Sequence, residues 1–170
     1  RFNRKLNKSK LKNNLETVDI LSLNADLMKN LARKDDLRYG VELVYNNVGS
    51  VAYNSDIETG EKFYDLATRY PDDKADMFSA AAYLSNLWKI TNTLNFSQGL
   101  RYTYVSLNAA WSDTMMSIMK FPFANSVTQN NSALTGYLGL VWLPKYGWKV
   151  SLTGSSGFRA PNIDDIGKVN

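Results

Sequence analysis

The chain of 170 residues contains neither cysteine nor histidine. Those two absences exclude thiol nucleophiles, disulfide staples, imidazole bases and the usual zinc shells together. No window reaches the run of about 18 apolar residues that marks a membrane helix. The amino-terminal stretch lacks the charged, apolar and small-residue regions of a signal peptide. Arg1 stands where an initiator methionine would, so the chain reads as part of a longer protein. No covalent chemistry, cofactor or resident metal is expected, and the chain does not read as an enzyme.

What the sequence does have is aromatic side chains, 12% of the total, and a formal net charge of +4. Arg1, Arg4, Lys5, Lys8, Lys10 and Lys12 crowd the start. Such a run can meet nucleic acid or anionic lipid, and a solvated arm carries one equally well.

The dominant hydrophobic period is two. It is clearest in Asn95–Tyr104, in Trp148–Thr153 and in Leu37–Tyr45. Six strands follow, at roughly 17–29, 37–53, 77–90, 93–105, 131–143 and 148–158. Short connections (30–36, 91–92 and 144–147) alternate with long ones (54–76 and 106–130). Tight turns at one end and long loops at the other describe a transmembrane β-barrel with periplasmic turns and outer loops. The strands supply the roughly 9–11 residues that a tilted membrane strand needs. On strand four, Leu94, Phe96, Leu100, Tyr102 and Tyr104 share one face, while Asn95, Ser97, Gly99, Arg101 and Thr103 share the other.

Alternation alone does not separate a barrel from a sandwich, where the apolar face would meet a second sheet. The tryptophans do more. Trp88, Trp142 and Trp148 sit beside the short turns, with Tyr39 and Tyr146 near them, the placement of an interfacial aromatic girdle. Six strands are too few to close a membrane barrel, since the smallest have about 8 and an open edge in lipid is costly. The expected architecture is therefore all-β, an antiparallel up-and-down barrel segment.

Two stretches carry a family likeness. Lys89–Tyr102 (KITNTLNFSQGLRY) resembles a hairpin of TonB-dependent outer-membrane receptors. Leu134–Pro144, followed by Gly157-Phe158-Arg159-Ala160-Pro161-Asn162, resembles a later hairpin and the F-R-A-P segment of the same receptors. The resemblance extends over nearly the whole chain and is best from residue 77 onward. It implies that residues 1–170 are part of a receptor barrel domain, with the plug and the C-terminal strands absent. It also implies a barrel of about 22 strands with a plugged lumen, placement in the cell outer membrane, and active uptake energised through the TonB complex by way of the plug. The ligand implied is haem or an iron-siderophore, F-R-A-P being associated with haem receptors in particular. The remaining readings are a passive porin or adhesion-type barrel, and a soluble β-sandwich binding module.

Within that setting the expected ligand or plug contacts are Arg159, Arg101, Trp111, Met115 and Met116. If Val150 and Leu152 face lipid, then Ser155, Gly157 and Arg159 face inward. Gly157 would let another backbone approach, Arg159 would aim its donor fork at the plug or ligand path, and Pro161 would end the strand. The loop Trp111–Phe123 (WSDTMMSIMKFPF) offers either an adaptable apolar surface for a flat ligand or a small core of its own. By parity Asp26, Arg38, Glu42, Arg101 and Arg159 face the lumen, where mutual pairing compensates them. A calcium-stabilised outer loop would draw on Asp72, Asp73 and Asp76, against the simpler reading of solvated turn carboxylates. The basic start would meet lipopolysaccharide phosphates. Outer-membrane lipid and lipopolysaccharide are thus expected partners, and nucleic acid is not.

Overall fold

The computed structural model describes residues 2–5, 10–32, 35–120, 124–145 and 147–167. Eight strands make one antiparallel sheet that curves into a half-barrel. In chain order they are β1 (Phe2–Lys5), β2 (Lys10–Ala32), β3 (Asp35–Asp56), β4 (Lys62–Phe63), β5 (Lys74–Lys89), β6 (Leu94–Ala110), β7 (Ser126–Trp142) and β8 (Val150–Ser155). Two short helices, α1 (Asp113–Met119) and α2 (Ile163–Gly167), lie beyond β6 and β8. Neighbours in sequence are neighbours in space, with β4 a short tab on the outer end of β3.

All six expected strands are present, and five of them extend further than expected at the outer end. β2 runs 23 residues, β3 runs 22, and β6 and β7 run 17 each. The long connections expected at 54–76 and 106–130 are therefore partly strand. The last strand errs the other way, stopping at Ser155 rather than 158. The basic start is also more ordered than a free arm, since Phe2–Lys5 pairs with Leu11–Asn14 of β2. Arg1 and Lys8 lie outside the described residues.

The register explains why one face can be apolar throughout. Leu27 pairs with Tyr39, Tyr39 with Leu84, and Leu84 with Leu100, all on the outward face. Leu100 is 58% exposed, Leu134 66% and Leu152 74%. Greasy side chains this bare require a non-aqueous neighbour, because soluble surfaces rarely expose a contiguous apolar patch of such extent.

The upper limit of this band slants across the sheet. It lies at Leu21, Tyr45, Phe78, Tyr104 and Leu134 on successive strands, where the next outward residues are Asp19, Asn47, Asp76, Ser106 and Ser132. The hydrogen-bonded row that starts at Leu21 ends at Asn130, four residues above Leu134. Four residues are about 13 Å of strand and four strand steps about 19 Å of sheet, so a level band needs strands tilted by roughly 35°. Spanning barrels tilt by about that much.

Candidate functional site

The inward face has two parts, a polar wall at mid-height and a small apolar core at the outer end. On the wall, Arg101 of β6 forms an ion pair with Glu42 of β3, and its Nε donates to the Thr103 hydroxyl at 3.2 Å. Tyr83 of β5 lies between these strands, its ring centroid 6.0 Å from the Arg101 guanidinium carbon. A hollow of about 420 Å³ opens here, lined among others by Glu42, Tyr83, Ser85, Arg101, Thr135 and Tyr137. Asp26 and Arg38 line an adjoining hollow with Tyr83 and Ser85. The inward set read from parity is thus assembled on one face, apart from Arg159.

Two glycines shape this wall. A Cβ on Gly40 would collide with the Tyr83 phenol and come within 2.5 Å of the Ala25 carbonyl oxygen. A Cβ on Gly99 would collide with the Tyr137 ring. Each tyrosine is the direct cross-strand partner of its glycine, so the ring lies flat over the gap that the missing side chain leaves.

At the outer end β6 changes character on the same face, from Arg101 and Thr103 to Val105, Leu107 and Ala109. Leu107 and Ala109 join Ala75, Trp111, Met115 and Ile163 in a buried cluster, with Tyr70, Met77, Met116 and Met119 packed around it. Helix α1 was not expected. Ser112 caps it, accepting from Met115 N at 3.2 Å, and is itself fixed by Asp72, which accepts from the Ser112 amide at 3.0 Å and from its hydroxyl at 2.5 Å. The loop therefore folds on a core of its own. Trp111 and Met115 lie within that core and Met116 at its margin; Phe121–Phe123 lie outside the described residues. Asp76, for its part, faces outward with Lys74 at 3.2 Å and Asn108 at 2.9 Å. Asp72, held by Ser112, and Asp76 therefore do not form the shared calcium loop considered above.

The segment after β8 departs most from expectation. Because the strand ends at Ser155, residues 157–159 are not inward-facing strand positions, and Pro161 does not end the ladder. Among the described residues nothing lies within 4 Å of a Cβ built on Gly157. Instead residues 156–167 form a strap that crosses the inner face to β5 and β6. Asn162 and Asp165 cap α2 reciprocally, the Asp165 amide donating to Asn162 Oδ1 at 2.9 Å and the Asn162 amide to Asp165 Oδ2 at 3.0 Å. Arg159 adds its Nη2, which donates to both oxygens of the same carboxylate, at 2.9 and 3.0 Å. Ile163 then inserts into the core at 8% exposure, and the Tyr70 hydroxyl donates to Asp164 at 2.9 Å. Burial first, and then the neighbouring carboxylate, push the Tyr70 phenol above its ordinary pKa.

Phe158 is half exposed, whereas Ala160 and Pro161 are partly covered within the strap. Trp88, Trp142 and Trp148 lie at or beside the short-turn ends of β5, β7 and β8, all of them well exposed, with Tyr39 four residues into β3. Tyr146 lies outside the described residues. Sequence reasoning missed Tyr70, Tyr83, Tyr137, Ile163, Asp164 and Asp165. The one local signal was the Asn162-x-x-Asp165 spacing of a helix cap; the tyrosine–glycine pairs become visible with the register in hand.

The sequence comparisons fit this architecture. Residues 3–168 match the family model described as TonB dependent receptor-like, beta-barrel. Among solved structures, a chain titled "Copper transporter OprC" superposes with a TM-score of 0.59 at 17% identity over 85% of this chain. This chain spans 21% of that protein's length. No curated protein matches the sequence significantly. With a family model running from residue 3 to residue 168 over a sheet of this register and polarity, the chain belongs to the TonB-dependent receptor-like β-barrel family.

Proposed function

We propose that the chain is wall and mouth of an outer-membrane receptor that binds a scarce ligand and imports it, energised through TonB by way of the plug that fills such barrels. The observation that carries this reading is the division of one sheet between two solvents. Leu21 to Leu27, Leu100 to Tyr104 and Leu134 to Trp142 turn apolar side chains outward, while Glu42, Arg101, Thr103 and Thr135 turn inward. A strap packed on the inner face at the outer end serves a gated receptor better than a passive pore. Ile163 and the Tyr70–Asp164 bond would hold the strap on the sheet, and the Arg159–Asp165 pair would keep the strap itself folded, until cargo competes for them. Arg101, Trp111, Met115 and Met116 would line the path once the strap lifts.

Haem or an iron-siderophore is the proposed cargo, on the likeness of the Gly157–Pro161 segment to the F-R-A-P of haem receptors. A second reading, a soft metal such as copper, is favoured by Met77, Met115, Met116 and Met119 gathering in one outer cluster, since thioethers suit Cu(I). The name of the superposed transporter points the same way. The test is to titrate the receptor containing this chain with haem, ferric siderophores and Cu(I), and to follow uptake in cells with and without a proton gradient. One class of ligand is expected to bind, and its uptake to stop when the gradient collapses. Arg159→Ala and shortening of the Trp111–Phe123 loop are each expected to weaken that binding about tenfold. Uptake that ignores the gradient would overturn the energised-import reading, and unchanged affinities in both variants would overturn the assigned contacts.

A further inference from the structure

The outward face continues beyond the acyl band, and its chemistry there is unusual for a surface meeting only water. One hydrogen-bonded row runs Asp19, Asn47, Asp76, Asn108 and Thr128 across five strands, all outward. Its last three members are linked side chain to side chain. Thr128 Oγ1 donates to Asn108 Oδ1 at 3.0 Å and Asn108 Nδ2 to Asp76 Oδ2 at 2.9 Å. Just below, the Tyr104 hydroxyl at the top of the band donates up to Asn130 Oδ1 at 3.1 Å. The whole chain has twenty lysines and arginines, yet Lys74 alone sits among these outward positions of β2, β3, β5, β6 and β7 above the band, and Asp76 already holds it at 3.2 Å.

We infer that this carboxamide and hydroxyl belt docks the sugar headgroups of lipopolysaccharide, the glycolipid of the outer leaflet. The inference rests on the outer-membrane placement proposed above. The belt is continuous with the acyl-facing band, so its neighbour is whatever chemistry begins where the acyl chains end. Phosphate is a poor fit, because the belt offers Asp19 and Asp76, while Asp76 holds Lys74 and the neighbouring Lys62 of β4 lies over the Tyr53 ring at 5.2 Å. A sugar hydroxyl both donates and accepts, and so do the carboxamides of Asn47, Asn108 and Asn130. The bonds from Asp76, Thr128 and Tyr104 also fix the Asn108 and Asn130 amides in place, which lowers the entropy lost when a saccharide settles on them.

The test uses the receptor containing this chain, purified from outer membranes. Lipopolysaccharide bearing its inner-core sugars, sugar-poor lipid A and phosphatidylethanolamine are offered separately, and retention is read by native mass spectrometry. Asn108→Leu with Thr128→Val is expected to cut retention of the sugar-bearing glycolipid about tenfold while leaving lipid A unchanged. Free inner-core oligosaccharide is expected to displace the glycolipid from the unaltered receptor, a readout that does not depend on the variant folding. Equal loss of lipid A, an unaffected variant, or no displacement by free oligosaccharide would overturn the inference. Failure of the outer-membrane placement looks different: the unaltered receptor would then fractionate away from outer membranes before any glycolipid is added.

Discussion

Ile163→Ala is the sharpest perturbation of the strap. The side chain is 8% exposed and enters a cluster whose floor is Leu107 and Ala75, both 1% exposed. Truncating a buried isoleucine costs about 2–5 kcal/mol. The low end applies here, because α2 has a single covered face and is free to settle. A loss of about 2 kcal/mol multiplies the open population of the strap about thirtyfold. Tyr70→Phe removes one hydrogen bond to a carboxylate in a partly wetted site, worth about 1 kcal/mol or roughly fivefold. Arg159→Ala should change opening least, since its side chain is 78% exposed and pairs of that kind contribute about 0–1 kcal/mol.

Hydrogen exchange reads these differences directly, because local opening sets the rate where global unfolding is slower. Amides of residues 157–166 are expected to speed up in the order Ile163→Ala, Tyr70→Phe, Arg159→Ala, with β6 and β7 unaffected. If Ile163→Ala accelerates the whole sheet equally, the strap is an inseparable part of the barrel and does not open alone. If it accelerates nothing, the buried contact does not hold the strap and the gating argument fails with it. Alkaline pH should act in the same direction as Tyr70→Phe. A phenol whose folded pKa is raised contributes stability that is present below its ordinary pKa and lost as pH climbs through the raised one. The protection factor of the strap, its exchange corrected for the intrinsic rise with pH, should therefore fall above about pH 10 in the parent and not in Tyr70→Phe.

Placing a charge on the outward face should cost far more than on the inward one: Leu100→Arg is expected to destabilise the folded barrel by about 2–4 kcal/mol and Thr135→Arg by less than about 1, by urea titration in bilayers. A double-mutant cycle on Arg101 and Glu42 should return no more than about 1 kcal/mol of coupling, because both side chains are more than a third exposed, at 39% and 38%. Gly40→Ala should be costlier than Gly154→Ala, by about 1–3 kcal/mol in the same assay, since its Cβ meets the Ala25 carbonyl whereas nothing lies within 4 Å of the other. In the outer turn the Thr59 and then the Glu58 amide hold the Asp56 carboxyl below its usual pKa. That contribution is present above about pH 4 and lost as pH falls through the depressed value. Protection of the Glu58 and Thr59 amides should disappear over that acid range and not in Asp56→Asn.

Much of this fold could be read from period two, because a strand with different solvents on its two faces must alternate. Leu94 to Tyr104 carries that signal on both parities at once. The outer ends were underread for a physical reason. Above the acyl band the apolar parity changes sides, Val105, Leu107 and Ala109 turning inward to the core while Ser106 and Asn108 turn outward, and Ser126–Asn130 is polar on most positions, so the pattern breaks while the hydrogen bonds continue. Pairing, set by neighbours far away in sequence, carried β6 to Ala110 where pattern alone stopped at 105.

The strap shows the opposite failure, and its cause lies in the residues themselves. Ser151, Thr153 and Ser155 alternate with Val150, Leu152 and Gly154, and the parity then runs on through Gly157 and Arg159 with no local sign that the chain has left the sheet. Extended-strand parity aims Arg159 at the plug or the ligand path. Once the ladder ends at Ser155, the chain turns a carboxylate six residues ahead toward Arg159, and Asp165 is already held by the Asn162 cap. A guanidinium takes the pre-placed partner with two matching oxygens. The pair therefore fixes the turn between β8 and α2, and it is the Asn162 cap, set by residues beyond the strand, that decides where Arg159 points.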